Sequence, residues 1–273
     1  MKAAMIGDNC IDFYTEYVDE KGNVQKNIQY VTGNVVDTAV NLKRFNIDVS
    51  LISTTGCDEN GKLVKDFLKS RDIDISHLKS KEGSTAITYM TLNNNDRVHG
   101  DYIEGVLKDI KFDDSDILFA ASHDLVHSAL WGNAENALPK IKKLNNPLIS
   151  FDYADKLDSP IIDKTIDYVD YGFFSYHKTR DEFIENYLVD KVQRGMKVAV
   201  ATFGSKGSLA YDGKSFINCT ITAVDKVVNT VGAGDSYISG FLAGILKGKS
   251  IKESMELGSK IAAEIVQVFN PWL

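Results

Sequence analysis

The chain is 273 residues long, 44% hydrophobic and 25% charged, with a formal net charge of -7; this suits one globular domain and, with no basic run, argues against nucleic acid and anionic membrane as partners. Cys10, Cys57 and Cys219 are isolated and odd in number, which gives neither a disulfide framework nor a metal-ligand spacing. The opening MKAAMIGDNCIDF lacks the apolar core of a signal peptide and no stretch approaches 18 uninterrupted apolar residues, so a reduced cytoplasm is the expected compartment and no membrane is expected as partner.

Ala3 to Ile6 is a short apolar strand ending at Gly7. Residues 13–31 alternate about a turn at Glu20-Lys21-Gly22-Asn23, the pattern of a hairpin. Gly33 and Asn34 open a helix with Val36, Ala39, Val40 and Phe45 on one side. Val49 to Ser53 reads as a buried strand, and Leu63, Val64, Phe67 and Leu68 mark the next helix. Thr85 to Leu92 alternates again and runs into the loop Asn93-Asn94-Asn95-Asp96. From residue 116, strands at Leu125–Ser128, Leu148–Asp152, Tyr171–Ser175 and Lys197–Phe203 alternate with helices over about 134–144, 159–168 and 179–193. Such alternation predicts one α/β domain with a mainly parallel sheet covered on both faces. Ser208 to Cys219 holds Asp212-Gly213 between two strand-like runs, a hairpin signal. Two helices, about 233–246 and 250–268, finish the chain. The stretches 13–31 and 85–103 stand outside the alternation and are expected to form a separate small sheet.

Two glycine-rich turns enter helices. Gly56-Cys57-Asp58-Glu59-Asn60-Gly61-Lys62-Leu63 follows a strand and matches most of a P-loop, but Leu63 stands where Mg²⁺ needs Ser or Thr. Asp58 and Glu59 would also face the phosphates, so the stretch reads as a turn with Asp58 near a helix start. The second is Asn229-Thr230-Val231-Gly232-Ala233-Gly234-Asp235. Its small residues let backbone N–H groups approach an anion at a helix N-terminus. Asp235 in the same turn is either a helix cap or a general base that takes a proton while the N–H groups hold a phosphoryl group; the turn alone leaves both open.

The segment N-T-V-G-A-G-D-S-Y-I-S-G resembles the C-terminal signature of the ribokinase-like (PfkB) carbohydrate kinases, and the resemblance extends over essentially the whole chain. I-G-D-N-C-I-D resembles the family's first strand, whose Asp, here Asp12, holds sugar hydroxyls. Thr32-Gly33-Asn34 with Asp37 resembles a second sugar-contacting segment, Gly56 to Gly61 falls on the family's G-x-D-x-x-G turn, and Ala201 to Gly207 resembles the loop that lines the nucleotide. Four segments, I-G-D-N-C-I-D again, Asp96–Gly105, Val126–Glu135 and Phe151–Pro160, are similar to those of family members that act on fructoselysine.

The resemblance implies a three-layer α/β sandwich with a central, mainly parallel sheet and a small β-sheet lid formed by about 13–32 and 85–103. It implies a kinase that uses ATP and Mg²⁺ to phosphorylate a sugar hydroxyl, with the 6-hydroxyl of a fructosamine such as fructoselysine as the substrate it points to. Asp235 is then the base and Gly232, Ala233 and Gly234 the anion hole. Asp12, Gly33, Asn34 and Asp37 bind the sugar, helped by Arg97, Asp101, Tyr102 and Glu135, and Thr202, Gly204, Gly207 and Asn229 line the nucleotide. Other small sugars (fructose, ribose, 2-keto-3-deoxygluconate) and a non-catalytic sugar sensor are the alternatives. An exposed lid edge offers itself for pairing with a second copy.

Three positions depart from the family pattern. Asn229 replaces an Asp near a monovalent cation, which leaves cation activation open. Thr32 and Asp37 replace Gly and Asn, and an ionised Asp only accepts hydrogen bonds, so Asp37 favours hydroxyls or an ammonium. No N-x-x-E segment is evident near Ser175-Tyr176-His177-Lys178, where Asp181 and Glu182 have the wrong spacing, so the metal ligands are not assigned. Trp131 reads equally as a ligand contact or core packing, His127 as a satisfied core residue and Cys10 as packing.

Overall fold

The computed structural model describes residues 1–18, 24–93 and 96–273, with side chains described outside 16–26 and 92–99. In chain order the elements are β1 (Lys2–Ile6), β2 (Cys10–Val18), β3 (Val24–Thr32), α1 (Asn34–Lys43), β4 (Asp48–Gly56), α2 (Glu59–Ser70), β5 (Asp74–Lys81), β6 (Ile87–Asn93) and β7 (Asp96–Ile103). They continue with α3 (Asp114–Ala121), β8 (Leu125–Ala129), α4 (Leu138–Asn145), β9 (Leu148–Asp152), α5 (Pro160–Thr165), β10 (Tyr171–Ser175) and α6 (Glu182–Gln193). β11 (Val198–Thr202), β12 (Ser208–Tyr211), β13 (Phe216–Cys219), α7 (Ala233–Leu246) and α8 (Ile251–Ile265) complete the chain.

Nine strands form one sheet in the order β13-β12-β11-β10-β9-β8-β1-β4-β5. From β11 to β5 every pairing is parallel; β12 and β13 add an antiparallel hairpin at one edge. Parallel strands covered on both faces need apolar residues on both, which explains the near-continuous runs of β1 and β4. In β1, Ala3 and Met5 face the layer of α1, α2, α7 and α8, while Ala4 and Ile6 face the layer of α3 to α6. The crossovers therefore build the three layers that the alternation predicts.

The remaining four strands form a second sheet, ordered β3-β2-β6-β7. β2 pairs antiparallel with β3 and parallel with β6, and β6 pairs antiparallel with β7. This is the small sheet expected from 13–31 and 85–103. The turn at Glu20–Asn23 and the loop residues Asn94 and Asn95 lie outside the described residues.

Two elements escape the sequence reading. β5 is an edge strand of sequence DISHLKSK in which only Leu78 is buried, so it carries no apolar run. α3 is short, and its start is set by a capping box between Asp113 and Asp116. Boundaries shift too: the helix expected over 134–144 begins at Leu138, and the last helix ends at Ile265.

Candidate active site

The carboxyl ends of β1, β8, β9, β10 and β11 lie along one edge of the central sheet, where open α/β sheets bind ligands. Both hairpins root at this edge: β2 leaves β1 through Gly7, Asp8 and Asn9, and β3 turns into α1 at Gly33. Gly33 has φ +131°, and a side chain there would meet the Asp8 carboxylate and backbone at 3.1 Å. The close approach lets Asp8 Oδ2 accept the Asn34 N–H at 2.9 Å. Asn9, fully buried, donates to Ser53 Oγ (2.7 Å) and the Thr54 carbonyl (2.9 Å), which ties the same turn to β4.

α7 opens at Gly232, φ +76°, with Asp235 in its first turn. The Ala233 N–H is turned toward the Thr230 carbonyl at 3.3 Å, whereas the N–H groups of Gly232 and Gly234 make no hydrogen bond among the described residues. Apart from its chain neighbours and the backbone of its own helix, nothing lies within 4 Å of where a Gly234 side chain would stand. The turn is thus open at Gly234, which is exposed, while Gly232 is buried and Asp235 partly so. Asp235 does not cap the helix through its side chain.

Carboxylates converge on this point. Burial, followed by the fields of Asp152 and Asp8, holds Asp235 well above the ordinary carboxylate range. Burial, followed by the field of Asp235, does the same to Asp37, against a 2.8 Å hydrogen bond from Thr32 Oγ1; Asp12 and Asp8 add to the shift. Thr32, the residue that replaces a glycine, is therefore the partner of Asp37. Burial lifts Asp152, at the end of β9, to about 6, with Asp8 and Asp155 adding to it and the Ala154 N–H opposing. Among the described residues no Lys, Arg or His pairs with Asp8, Asp37, Asp152 or Asp235.

Asp12, Gly33, Asn34, Asp37 and Asp235 thus lie together at this edge. Asp8 and Asp152 join them without having been singled out. The signal was available for Asp8 in the GDN triplet after β1, but nothing in spacing alone says that the ends of β1 and β9 meet with only β8 between them. Arg97 stands opposite Leu92 on β7, its side chain outside the described residues. Asp101 and Tyr102 are exposed on the same strand. Partial burial, followed by the fields of Cys10 and Asp8, pushes the Tyr102 hydroxyl up. Glu135 follows β8 and has Lys164 Nζ at 4.0 Å. Trp131 is 43% exposed, which excludes core packing for it. His127 is fully buried, with Nδ1 bonded to Ser150 Oγ at 2.8 Å and Nε2 without a partner, so it is only half satisfied. Cys10 is a packing residue whose thiol burial pushes up to about 12.

On the other flank, Thr202 ends β11 and Gly204 opens the next turn with nothing within 4 Å of its Cα substituent position. Gly207 has a packing reason of its own, since a side chain there would lie 2.3 Å from the Cys219 carbonyl oxygen. Asn229 is buried, donates to the Phe269 carbonyl and accepts the Val231 N–H at 3.1 Å, so its side chain braces the loop before α7. Near Ser175, the carboxylate of Asp181 caps α6 and accepts the Tyr176 hydroxyl at 2.7 Å, which commits it locally.

The Gly56–Leu63 turn is occupied by its own carboxylate. Asp58 accepts the Gly61 N–H and the Thr85 N–H, each at 2.8 Å, and the Thr85 hydroxyl at 2.5 Å. Burial pushes its carboxyl up, but these hydrogen bonds outweigh it and hold the group below the ordinary range. The turn therefore fastens β4 and α2 to the root of β6 rather than cradling phosphate. Asp58→Ala is expected to cost about 2–3 kcal/mol of stability and to leave the KM for ATP unchanged; chemical denaturation and steady-state kinetics test the two together.

Three comparisons bear on this arrangement. The family model described as pfkB family carbohydrate kinase matches residues 1–271. The fructoselysine 6-kinase of Escherichia coli (strain K12) is 37% identical over 269 residues, 98% of each chain. The fructosamine kinase FrlD of Bacillus subtilis is 26% identical over 274 residues, 99% of this chain and 92% of that one. Among solved structures, Arabidopsis thaliana ribokinase with ribose and ATP superposes with a TM-score of 0.87 at 19% identity, covering 98% of this chain and 93% of the other, a likeness of fold.

Proposed function

The chain belongs to the pfkB family of carbohydrate kinases, and on that premise we propose that it transfers the γ-phosphoryl group of ATP to the 6-hydroxyl of fructoselysine or a closely related fructosamine. The observation that carries the reading is Asp235: a carboxylate without a capping bond, in the first turn of α7, beside the open space at Gly234. Asp235 accepts the hydroxyl proton as the sugar oxygen bonds to the γ-phosphorus, and the bond from that phosphorus to the bridging oxygen of ADP breaks. The amides of Gly232 and Gly234 hold the charge on the transferring group, and the raised affinity of Asp235 for a proton makes it a stronger base than an exposed carboxylate. Asp12, Gly33, Asn34 and Asp37 orient the sugar. Thr202 and Gly204 lie along the nucleotide.

Mg²⁺ supplies charge neutralisation on the phosphoryl oxygens when bound. Among the described residues no cluster of three metal-ligating side chains stands ready for it. Asp152, a hard oxygen donor at the end of β9 within the field of Asp235, is the side chain that fits it, which suits a cation held mainly by phosphates and water. The fructosamine part of the reading draws support from the 37% identical relatives and from charge. With Asp152 given to Mg²⁺ and Asp235 to the hydroxyl proton, Asp8 and Asp37 remain without a protein cation and favour a substrate that brings an ammonium, and a fructosamine carries one at its secondary amine.

Coupled ADP-release kinetics on fructoselysine, fructose and ribose test the proposal. We expect kcat/KM for fructoselysine to exceed that for fructose by more than about tenfold, the size of one added ion pair in a partly buried site. Preference for another sugar would leave a kinase with a different substrate. Sugar binding with no turnover of any of them would leave a sensor.

A further inference from the structure

Residues 269–272 touch both halves of the site without belonging to either. Trp272 donates its indole N–H to the Val31 carbonyl at 3.1 Å, beside Thr32 and Gly33, where β3 passes into α1. Its ring is clamped on α2, with the Phe67 centroid at 4.7 Å and the Arg71 guanidinium at 4.6 Å. The preceding residue, Pro271, is buried under the phosphate-side turn: a side chain on Gly232 would stand 2.5 Å from Pro271 Cβ. The Pro271 carbonyl accepts from Asn41 Nδ2 at 3.2 Å, and the same amide donates to Ser236 Oγ and to the Asp37 carbonyl, each at 3.0 Å. Phe269 accepts from Asn229 through its carbonyl, and its ring lies 5.7 Å from Tyr14 and 5.5 Å from Tyr30 in the small sheet.

We propose that Phe269–Trp272 is a strap that sets the distance between the sugar-side strands and the phosphate-side turn, with Trp272 and Asn41 as positioning residues for phosphoryl transfer. The inference rests on the function proposed above, in which the sugar is held by residues of β2 and α1 and the transferring group by the turn before α7. No side-chain cap fixes the turn at Gly232, and, Asn41 aside, the direct tie between α1 and α7, Ser239 Oγ to the Thr38 carbonyl at 3.1 Å, lies one turn beyond Asp235. In-line transfer depends on their relative placement, and a misplacement of about 1 Å can cost on the order of a hundredfold in rate. Asn41 joins α1 to Ser236, the neighbour of the base, and to Pro271. It does so while leaving its own buried Oδ1 without a partner, a cost that an apolar residue at the same place would avoid. Trp272 makes the corresponding link to the end of β3.

Trp272→Phe removes the N–H donor and keeps a ring against Phe67 and Arg71. With rates normalised to titrated active sites, we expect kcat to fall about tenfold, the effect of a fraction of an ångström in alignment. The affinities for the sugar turned over fastest in the panel above and for a non-hydrolysable ATP analogue, each measured alone by calorimetry, stay within about twofold. Asn41→Leu, which loses the link from the other end, shows the same split. An unchanged normalised kcat in both variants would overturn the proposal, because a segment that only stabilises the fold changes the amount of active enzyme and not its rate. So would a loss of either binary affinity as large as the loss in kcat, which would make the segment part of a binding pocket.

Discussion

Asp235→Asn should lower kcat by about 10²–10⁴-fold, the usual contribution of a positioned general base, while making the ligand-free protein more heat-stable at neutral pH. The two effects have one origin. Asp235 sits among Asp152, Asp8 and Asp37, and its charge is opposed first by burial and then by its neighbours. A carboxyl whose folded-state pKa is raised binds its proton more tightly in the folded than in the unfolded chain. Its ionisation therefore costs stability as the pH rises from the ordinary carboxylate value through the raised one, and that cost is fully present above both. The amide removes it, relieves Asp37 as well, and cannot accept a proton from the sugar. The stability gain should shrink as the pH is lowered through the raised value and vanish below the ordinary carboxylate value of 3.8, where the wild-type carboxyl is protonated in both states. Wild-type kcat/KM should fall as the pH drops through the raised titration of the base. Thermal melts at several pH values and a pH–rate profile check both arms. A variant that keeps the wild-type rate would remove Asp235 from the chemistry, and one that loses stability at neutral pH would contradict the electrostatic account.

Much of this architecture is legible in the chain because its causes are local or periodic. β1, β8, β9, β10 and β11 announce themselves as short apolar runs, since a strand covered on both faces has no polar side to show. The two hairpins announce themselves by alternation. β5 does not, because an edge strand with one buried residue needs no pattern, and α3 does not, because its start is fixed by two aspartates that look like any acidic stretch. The site divides in the same way. The residues proposed for phosphoryl transfer are consecutive in the turn before α7, so Gly232 to Asp235 could be read directly. Asp152 lies far from it along the chain and comes near only through the order β9-β8-β1 and the packing of α7. The Gly56–Gly61 turn shows the converse: its composition suits a phosphate loop, and only the structure reveals that the Gly61 amide is taken by Asp58 and the Gly56 amide by the Thr85 hydroxyl. Trp272 and Pro271 follow the last helix with no periodicity at all, so their placement is a matter of tertiary packing.

Gly232→Ala and Gly234→Ala should part company, although the two glycines are separated by one residue. At 232 the backbone is left-handed, φ +76°, and an added methyl group would lie 2.5 Å from Pro271 Cβ and 2.7 Å from its Cα and carbonyl oxygen. Left-handed strain and overpacking together are expected to cost about 2–4 kcal/mol. Relief would have to come from moving Pro271, whose carbonyl holds Asn41, so the displaced turn would lose its register with α1. At 234 nothing beyond the chain neighbours and the helix's own backbone lies within 4 Å of an added methyl group, and the helix conformation there suits alanine. Gly234→Ala should therefore fold as well as the wild type or slightly better, since alanine is the better helix former. Its methyl group would occupy the space into which the phosphoryl group must come, and the loss of an anion-hole amide contact costs about 10²–10³-fold in kcat. Denaturation midpoints separate the pair on stability, and kinetics at saturating ATP show both to be impaired. If Gly234→Ala proved stable and fully active, the open space at the head of α7 would not be where the transferring group binds, and the site would have to be sought elsewhere along the carboxyl ends of the strands.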